Sequence, residues 1–341
     1  WNGLFIRWEY GCSNEQDCFD DSGSCVIENC ISIGNIIPYD DNCKNSQNNI
    51  ICKTKCYTNP CTTKCPTTDY PTTDYPTTDY SIITFGCGGI VGILAGADNG
   101  SCKITNCESY GRIGNNSGGI IASISNSIDL CEIIFCRSFG NMIGSFSGGI
   151  ANISDRTYSI PIDIPSQGIC KIINCKSSGT IGSLIDASDC GGIVGGSTQI
   201  INSSTDRNPN SNNVLPLETH IINCASHGDI NGDRSGGIFG SFTNIMNICQ
   251  ILNCTSSGDI NGKNTGGIVG SNAVCDIKNC SSSGYIVGIG SGGITGALTS
   301  RTTITNCTSS GHIIALASGG IVGSLAGLNI NDLSRAPPQT Q

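Results

Sequence analysis

Few residues of this chain are placed to do chemistry, and the best placed are two carboxylates. Asp229 and Asp259 each follow the glycine of a shared local sequence, Ser-x-Gly-Asp-Ile. If that sequence is one corner of a repeated turn, the carboxylates stand roughly 4.8 Å apart, one strand spacing, on a common outer surface. Paired carboxylates perform glycoside hydrolysis, one protonating the leaving group while the other activates water or attacks the sugar. A polysaccharide-processing β-helix enzyme is therefore the alternative reading of the chain. The equivalent position in the other copies holds Asn35, Arg112, Asn141, Thr180, Tyr285 and His312. A column so mixed is what a solvated face carries, and it lacks the regular Thr array of an ice-binding surface. The chain reads as non-catalytic, with no cofactor and no metal.

Cysteine is the other chemistry-bearing type. There are 23, an odd number that leaves at least one without a partner inside the chain. Cys43, Cys52, Cys56, Cys61 and Cys65 cluster in one stretch. The spacing Cys52-x3-Cys56-x4-Cys61-x3-Cys65 could hold zinc, but no histidine lies nearby, and a small disulfide knot is the better reading. So high a cysteine count points to an oxidising setting, hence to an extracellular, cell-surface or virion-surface location. Sequons agree: Asn99, Asn115, Asn152 and Asn202 are candidate glycosylation sites in loop positions.

The elements that must position these residues come from one ten-residue repeat. Ile-x-Asn-Cys-x-Ser-x-Gly-x-Ile begins at Ile27, Ile104, Ile133, Ile172, Ile221, Ile251, Ile277 and Ile304, with Phe135 replacing the Asn once and Met142 the last Ile once. Ile and Asn two apart, then Ser and Gly two apart, is the period of a strand. The Gly marks a bend where positive φ is allowed. Between copies stands Gly-Gly-Ile, at Gly88, Gly118, Gly148, Gly191, Gly236, Gly266, Gly292 and Gly319, preceded in most copies by Ser or Thr. Where the chain is tightest, one period holds three short strands and three corners. The predicted fold is all-β: a parallel β-helix (β-solenoid), right-handed, with three short strands per turn and about 8–9 turns, a rod of about 40 Å.

Two columns inside the repeat carry expectations. Asn29, Asn106, Asn174, Asn223, Asn253, Asn279 and Asn306 should stack as an amide ladder at a corner where Asn tolerates left-handed backbone. That ladder is expected to bury the sequons at Asn253, Asn279 and Asn306. Six copies carry Cys-x4-Cys, but in two the first Cys is Thr219 or Thr302 while Cys224 and Cys307 remain. Positions that bonded each other would vanish together, so the second Cys has a packing role and part of its column stays as thiols.

Residues 1–37 read as a degenerate capping turn, with Trp1, Phe5, Trp8 and Tyr10 covering open strand edges. Residues 38–84 hold the Cys-rich insertion and three Pro-Thr-Thr-Asp-Tyr units, an extended and semi-rigid spacer with hydroxyls for O-linked sugars. Residues 85–332 are the solenoid repeats, and 333–341 a disordered tail. The segments 152–168 and 199–218 share a register position, so they emerge from one side and offer a contact surface for a glycan or receptor. The chain starts at Trp1 rather than Met, and reads as processed or fragmentary with its targeting segment removed.

A net charge of −9 without a basic stripe argues against a nucleic-acid partner. No run approaches the 18 apolar residues of a membrane-spanning helix. The stretch Gly266–Gly284 resembles the GLUG repeat of bacterial surface proteins, large adhesins and accessory regions of secreted IgA-type proteases. The resemblance covers roughly Phe85 to Leu325 together with Ile27–Ile36, and it implies a parallel β-helix. Some such proteins carry metalloprotease chemistry on a His-Glu-x-x-His helix. His220, His227 and His312 are not so arranged, so that activity is not implied. The expected function is an extracellular structural or adhesive solenoid, a subunit of a surface fibre or filament, associating as a homo-oligomer through its ends.

Overall fold

A computed structural model describes residues 24–33, 36, 88–91, 101–124, 130–153, 168–183, 187–196, 218–241, 248–272, 274–297 and 302–325. They form a parallel β-solenoid, with no helix among the described residues. The first sheet takes one strand from each turn: β1 (Ser24–Glu28), β3 (Ser101–Thr105), β6 (Leu130–Ile134), β9 (Ile169–Ile173), β11 (Glu218–Ile222), β13 (Ile248–Leu252), β15 (Asp276–Lys278) and β17 (Thr303–Thr305). The second takes β2 (Ile31–Ile33), β4 (Glu108–Tyr110), β7 (Arg137–Ser138), β10 (Lys176–Ser177), β12 (Ala225–Ser226), β14 (Thr255–Ser256), β16 (Ser281–Ser282) and β18 (Thr308–Ser309). Every pairing in these two sheets is parallel and in register, so Cys102 sits on Cys131 and Ile104 on Ile133. We number the rungs 1 to 8 by their strand in the first sheet.

The third face is reduced relative to the expected third short strand per turn. It has one short sheet, β5 (Ile121–Ile124) with β8 (Ala151–Ile153), and otherwise single bridges such as Gly191↔Gly236 and Val194↔Phe239. The cause is Gly-Gly. Added to Gly237, a Cβ would meet the carbonyl oxygen of Gly267 and the hydroxyl of Ser256. The same pairing recurs at Gly149 with Ser177, Gly192 with Ser226 and Gly267 with Ser282. The close approach of Ser to Gly pinches the interior into two cores. One holds the strand Ile and Cys columns with Ile120, Ile150 and Phe239, and the other Ile113, Met142, Ile181, Ile230, Ile260 and Ile286. Each fully buried Ile contributes about 1.5–3 kcal/mol of apolar transfer. The Ser hydroxyls at the pinch are less well served: those of Ser109, Ser138, Ser177, Ser226, Ser256, Ser282 and Ser309 are buried without a hydrogen-bond partner.

Turn 1 belongs to the same ladder as the rest. β1 pairs with β3, β2 with β4, and Ile36 bridges Ile113. Ile36 and Gly88 are therefore parts of one rung, and the segment 37–87 enters and leaves within it. The other long segments lie elsewhere in the turn, between the third face and the first sheet. Asn152 and Ile153 are part of β8, and Glu218 opens β11. Gly168 accepts the N–H of Glu218 at 2.9 Å. Residues 154–167 and 199–217, the aromatic N-terminus, the Pro-Thr-Thr-Asp-Tyr units and the tail lie outside the described residues.

Candidate functional site

The acidic pair stands on consecutive rungs, and one oxygen of each carboxylate accepts a backbone amide. Asp229 is exposed at the corner of rung 5, and its Oδ1 accepts the backbone N–H of Asp259 at 3.0 Å. Asp259 does the same for Tyr285 N–H at 2.9 Å. Asn141 serves Thr180 N–H at 3.0 Å, so the amide and the carboxylate play one role in this column. A side-chain acceptor satisfies the amide of the next rung where the backbone turns away from its ladder. Among the described residues no group of three or more His, Cys, Asp or Glu is placed to hold a metal.

The second-position cysteines form a continuous thiol column that staples rung to rung. Cys254 Sγ accepts the N–H of Cys224 at 3.4 Å and donates to the carbonyl of Ile221 at 3.5 Å, both in the preceding rung. Cys280 accepts from Cys254 at 3.4 Å, and Cys307 from Cys280 at 3.5 Å. Cys102 aside, the cysteines whose side chains are described are free thiols, in both columns. Burial pushes the thiols of Cys30, Cys175 and Cys307 up, and that of Cys190 up to about 12. A protonated, buried thiol is a poor nucleophile. These cysteines therefore add nothing to the oxidising-compartment argument, which rests on Cys43, Cys52, Cys56, Cys61 and Cys65, outside the described residues.

A hydroxyl column ahead of Gly-Gly makes the same reciprocal bond. Ser291 Oγ donates to Gly262 O at 2.9 Å and accepts Thr265 N–H at 3.0 Å. Cys190 occupies this column in rung 4 and donates to Gly144 O at 3.1 Å. Beside it, Asp189 is buried under Arg234, whose guanidinium bonds both carboxylate oxygens at 2.6 and 2.8 Å, with Ser241 Oγ as a further donor.

The asparagine column departs from expectation in one respect. Its backbone is left-handed throughout, with φ of 57° at Asn29, 54° at Asn253 and 53° at Asn306. Two amide links form, Asn253 Nδ2 to Asn223 Oδ1 and Asn279 Nδ2 to Asn253 Oδ1, both at 3.2 Å. Yet the column is on the outside, with Asn253, Asn279 and Asn306 all exposed. A left-handed residue at an outward corner aims its side chain at solvent, and the following Cys fills the interior instead. A second left-handed column, Asn116, Phe146, Asp189, Arg234, Asn264, Gly290 and Ala317, has no shared residue type and no signature in the sequence.

Among the other sequons, Asn115 is exposed and its Oδ1 accepts Ser145 N–H at 2.8 Å. Asn152 is 1% exposed, an address that leaves a glycan no room. Asn99 and Asn202 lie outside the described residues.

Among the described residues the rod has apolar ends and a polar waist. Fifteen large hydrophobic residues are exposed there, all in rungs 1–3 and 7–8, and no described residue of rungs 4 to 6 is among them. On the stretch between the second sheet and the third face, Asp229, Asn231 and Asp233 in rung 5 and Asp259, Asn261 and Lys263 in rung 6 give way to Tyr285, Val287 and Ile289 in rung 7 and Ile314 and Leu316 in rung 8. The last rung also leaves its core columns uncovered: Ile313 is 48% and Ile321 37% exposed, where Ile286 and Ile294 one rung earlier are fully buried. Among the described residues β17 and β18 are the outer edges of their sheets.

No protein-family model matches the chain, and comparisons with curated proteins and with solved structures return no match.

Proposed function

We propose that the protein is a non-catalytic structural subunit of an extracellular fibre or filament, adding copies to one another through the ends of the solenoid. The observation that carries this reading is the edge of rung 8, which no described residue covers. Its described residues are those of an interior rung, without the charge, proline or bulge with which a terminal strand is ordinarily blunted. Exposed apolar surface concentrated, among the described residues, at the two ends rather than in rungs 4 to 6 supports the same reading. So does the use of Asp229 and Asp259 as backbone acceptors, which leaves the paired carboxylates a structural role. Head-to-tail contacts that do not close on themselves produce filaments. The surface location rests on the sequons, the Cys43–Cys65 cluster and the likeness to repeats of surface proteins.

Gly320 supplies the test. At Gly293, the same position one rung earlier, a Cβ would strike Ser309 Oγ and Gly320 O, whereas at Gly320 it meets only Ile313 Cδ1, at 3.7 Å. Gly320→Val should therefore fold as the wild type does and yet block the next rung from seating. Light scattering across a concentration series should show growth for the wild type and a monomer for the variant. Equal growth of both, or a wild type that stays monomeric at high concentration, would overturn the proposal.

A further inference from the structure

We infer that Asn253, Asn279 and Asn306 are acceptor sites for N-linked glycans, arranged as a stripe along the edge between the first and second sheets of rungs 6 to 8. The inference rests on the extracellular half of the reading above and not on its assembly half. The left-handed backbone favours Asn at these positions, and Phe135 is the one departure from it in the column. The fold requires Cys next because that thiol enters the staple column. It does not require the hydroxyl that completes each sequon. Thr255, Ser281 and Thr308 begin β14, β16 and β18 and point outward, opposite to the buried Ser256 and Ser282. The same outward position holds Ile31, Glu108, Arg137, Lys176 and Ala225 in rungs 1 to 5. The fold thus explains two residues of the triplet in every rung but the third, and the hydroxyl appears only in the last three rungs, each time beside an exposed Asn.

The side-chain geometry is compatible with the modification. Asn253 and Asn279 each spend one Nδ2 hydrogen along the rod on the neighbouring amide. The primary amide carries two, and the other is left for solvent. In the transfer, Nδ2 forms a bond to the anomeric carbon of a lipid-pyrophosphate-linked oligosaccharide. The bond from that carbon to the pyrophosphate oxygen breaks, the lipid pyrophosphate leaves with the electron pair, and the amide gives one proton to the transferase's base. The product keeps one N–H, enough for the ladder bond. A glycan at this corner projects sideways from the rod and leaves its ends clear.

The experiment is secretion of the full chain from a eukaryotic host, with site occupancy read by mass spectrometry after enzymatic deglycosylation. At least one of Asn253, Asn279 and Asn306 should be occupied. The triple variant Thr255→Val, Ser281→Ala, Thr308→Val keeps all three asparagines and should lose that occupancy, with unchanged secretion and the same β-sheet circular dichroism. Light scattering on the same samples reports assembly separately, so failure of the filament reading would not be mistaken for failure of this one. Secreted wild-type protein with all three residues unmodified overturns the inference.

Discussion

A left-handed backbone is cheap for asparagine and expensive for a bulky side chain, and Phe135 stands in the corner column otherwise made of asparagine. Its φ is 56° and its ring is 53% exposed, so little packing offsets the strain. Phe135→Asn should stabilise the protein by about 1 kcal/mol, read from urea unfolding. Unchanged or lower stability would mean that the ring makes a contact worth more than the strain. Cys190 makes a different prediction, about pH. Complete burial raises its thiol from 9.0 to about 12, so the folded state holds that proton more tightly than the unfolded chain. The associated stability is fully present below pH 9 and is lost as pH rises from 9 toward 12. Cys190→Ser installs the residue type most rungs use here and removes the titrating group. Stability of the variant should fall less steeply between pH 9 and 12 than that of the wild type, and parallel curves would contradict the assignment.

At the scale of the element, one rung dictates what the next tolerates. Gly237→Ala should abolish folding or cost several kcal/mol, because the new methyl group meets backbone oxygen and the Ser256 hydroxyl within a close-packed interior. Gly320→Ala should cost well under 1 kcal/mol, since no rung follows among the described residues and the nearest atom is 3.7 Å away. Comparable losses at the two positions would show that the space beside Gly320 is already filled. Much of this architecture was legible in the sequence, because each repeat position has a single physical job: Ile inward, Gly at the bend, Asn at the left-handed corner, Cys behind it. The acidic pair was legible for the same reason, as two residues following the same glycine. The outward direction of the Asn column was not, since stacking asparagines read equally as a buried or a surface ladder. The second left-handed column was illegible because Phe146, Arg234 and Ala317 are held there by neighbouring rungs, against their own preference. The reduced third face was hidden as well, because Gly-Gly-Ile-Val spells a strand and only the pinch against Ser shows that it bridges at single points.

For the whole molecule, the distribution of chain between rungs has a kinetic consequence. Cys254 reaches Cys280 across 26 residues and Cys280 reaches Cys307 across 27, while Cys30 reaches Cys107 across 77. Closing the long connection costs about 1 kcal/mol more in loop entropy than closing a short one. The compact stretch at rungs 6 to 8 is therefore where folding should nucleate, and each finished rung offers the next a template with in-register hydrogen-bond partners. Pulse-labelled hydrogen exchange should find Ile277 and Leu252 amides protected before those of Val26 and Ile27, and the reverse order would place the nucleus at the other end. Growth then runs from the C-terminal rungs backward, against the direction in which a ribosome delivers the chain. Rung 1 waits for its partner longest, and the fifty-odd residues between Ile36 and Gly88 become a timer: lengthening or shortening that segment should change when the rod is completed while leaving untouched the shape it completes.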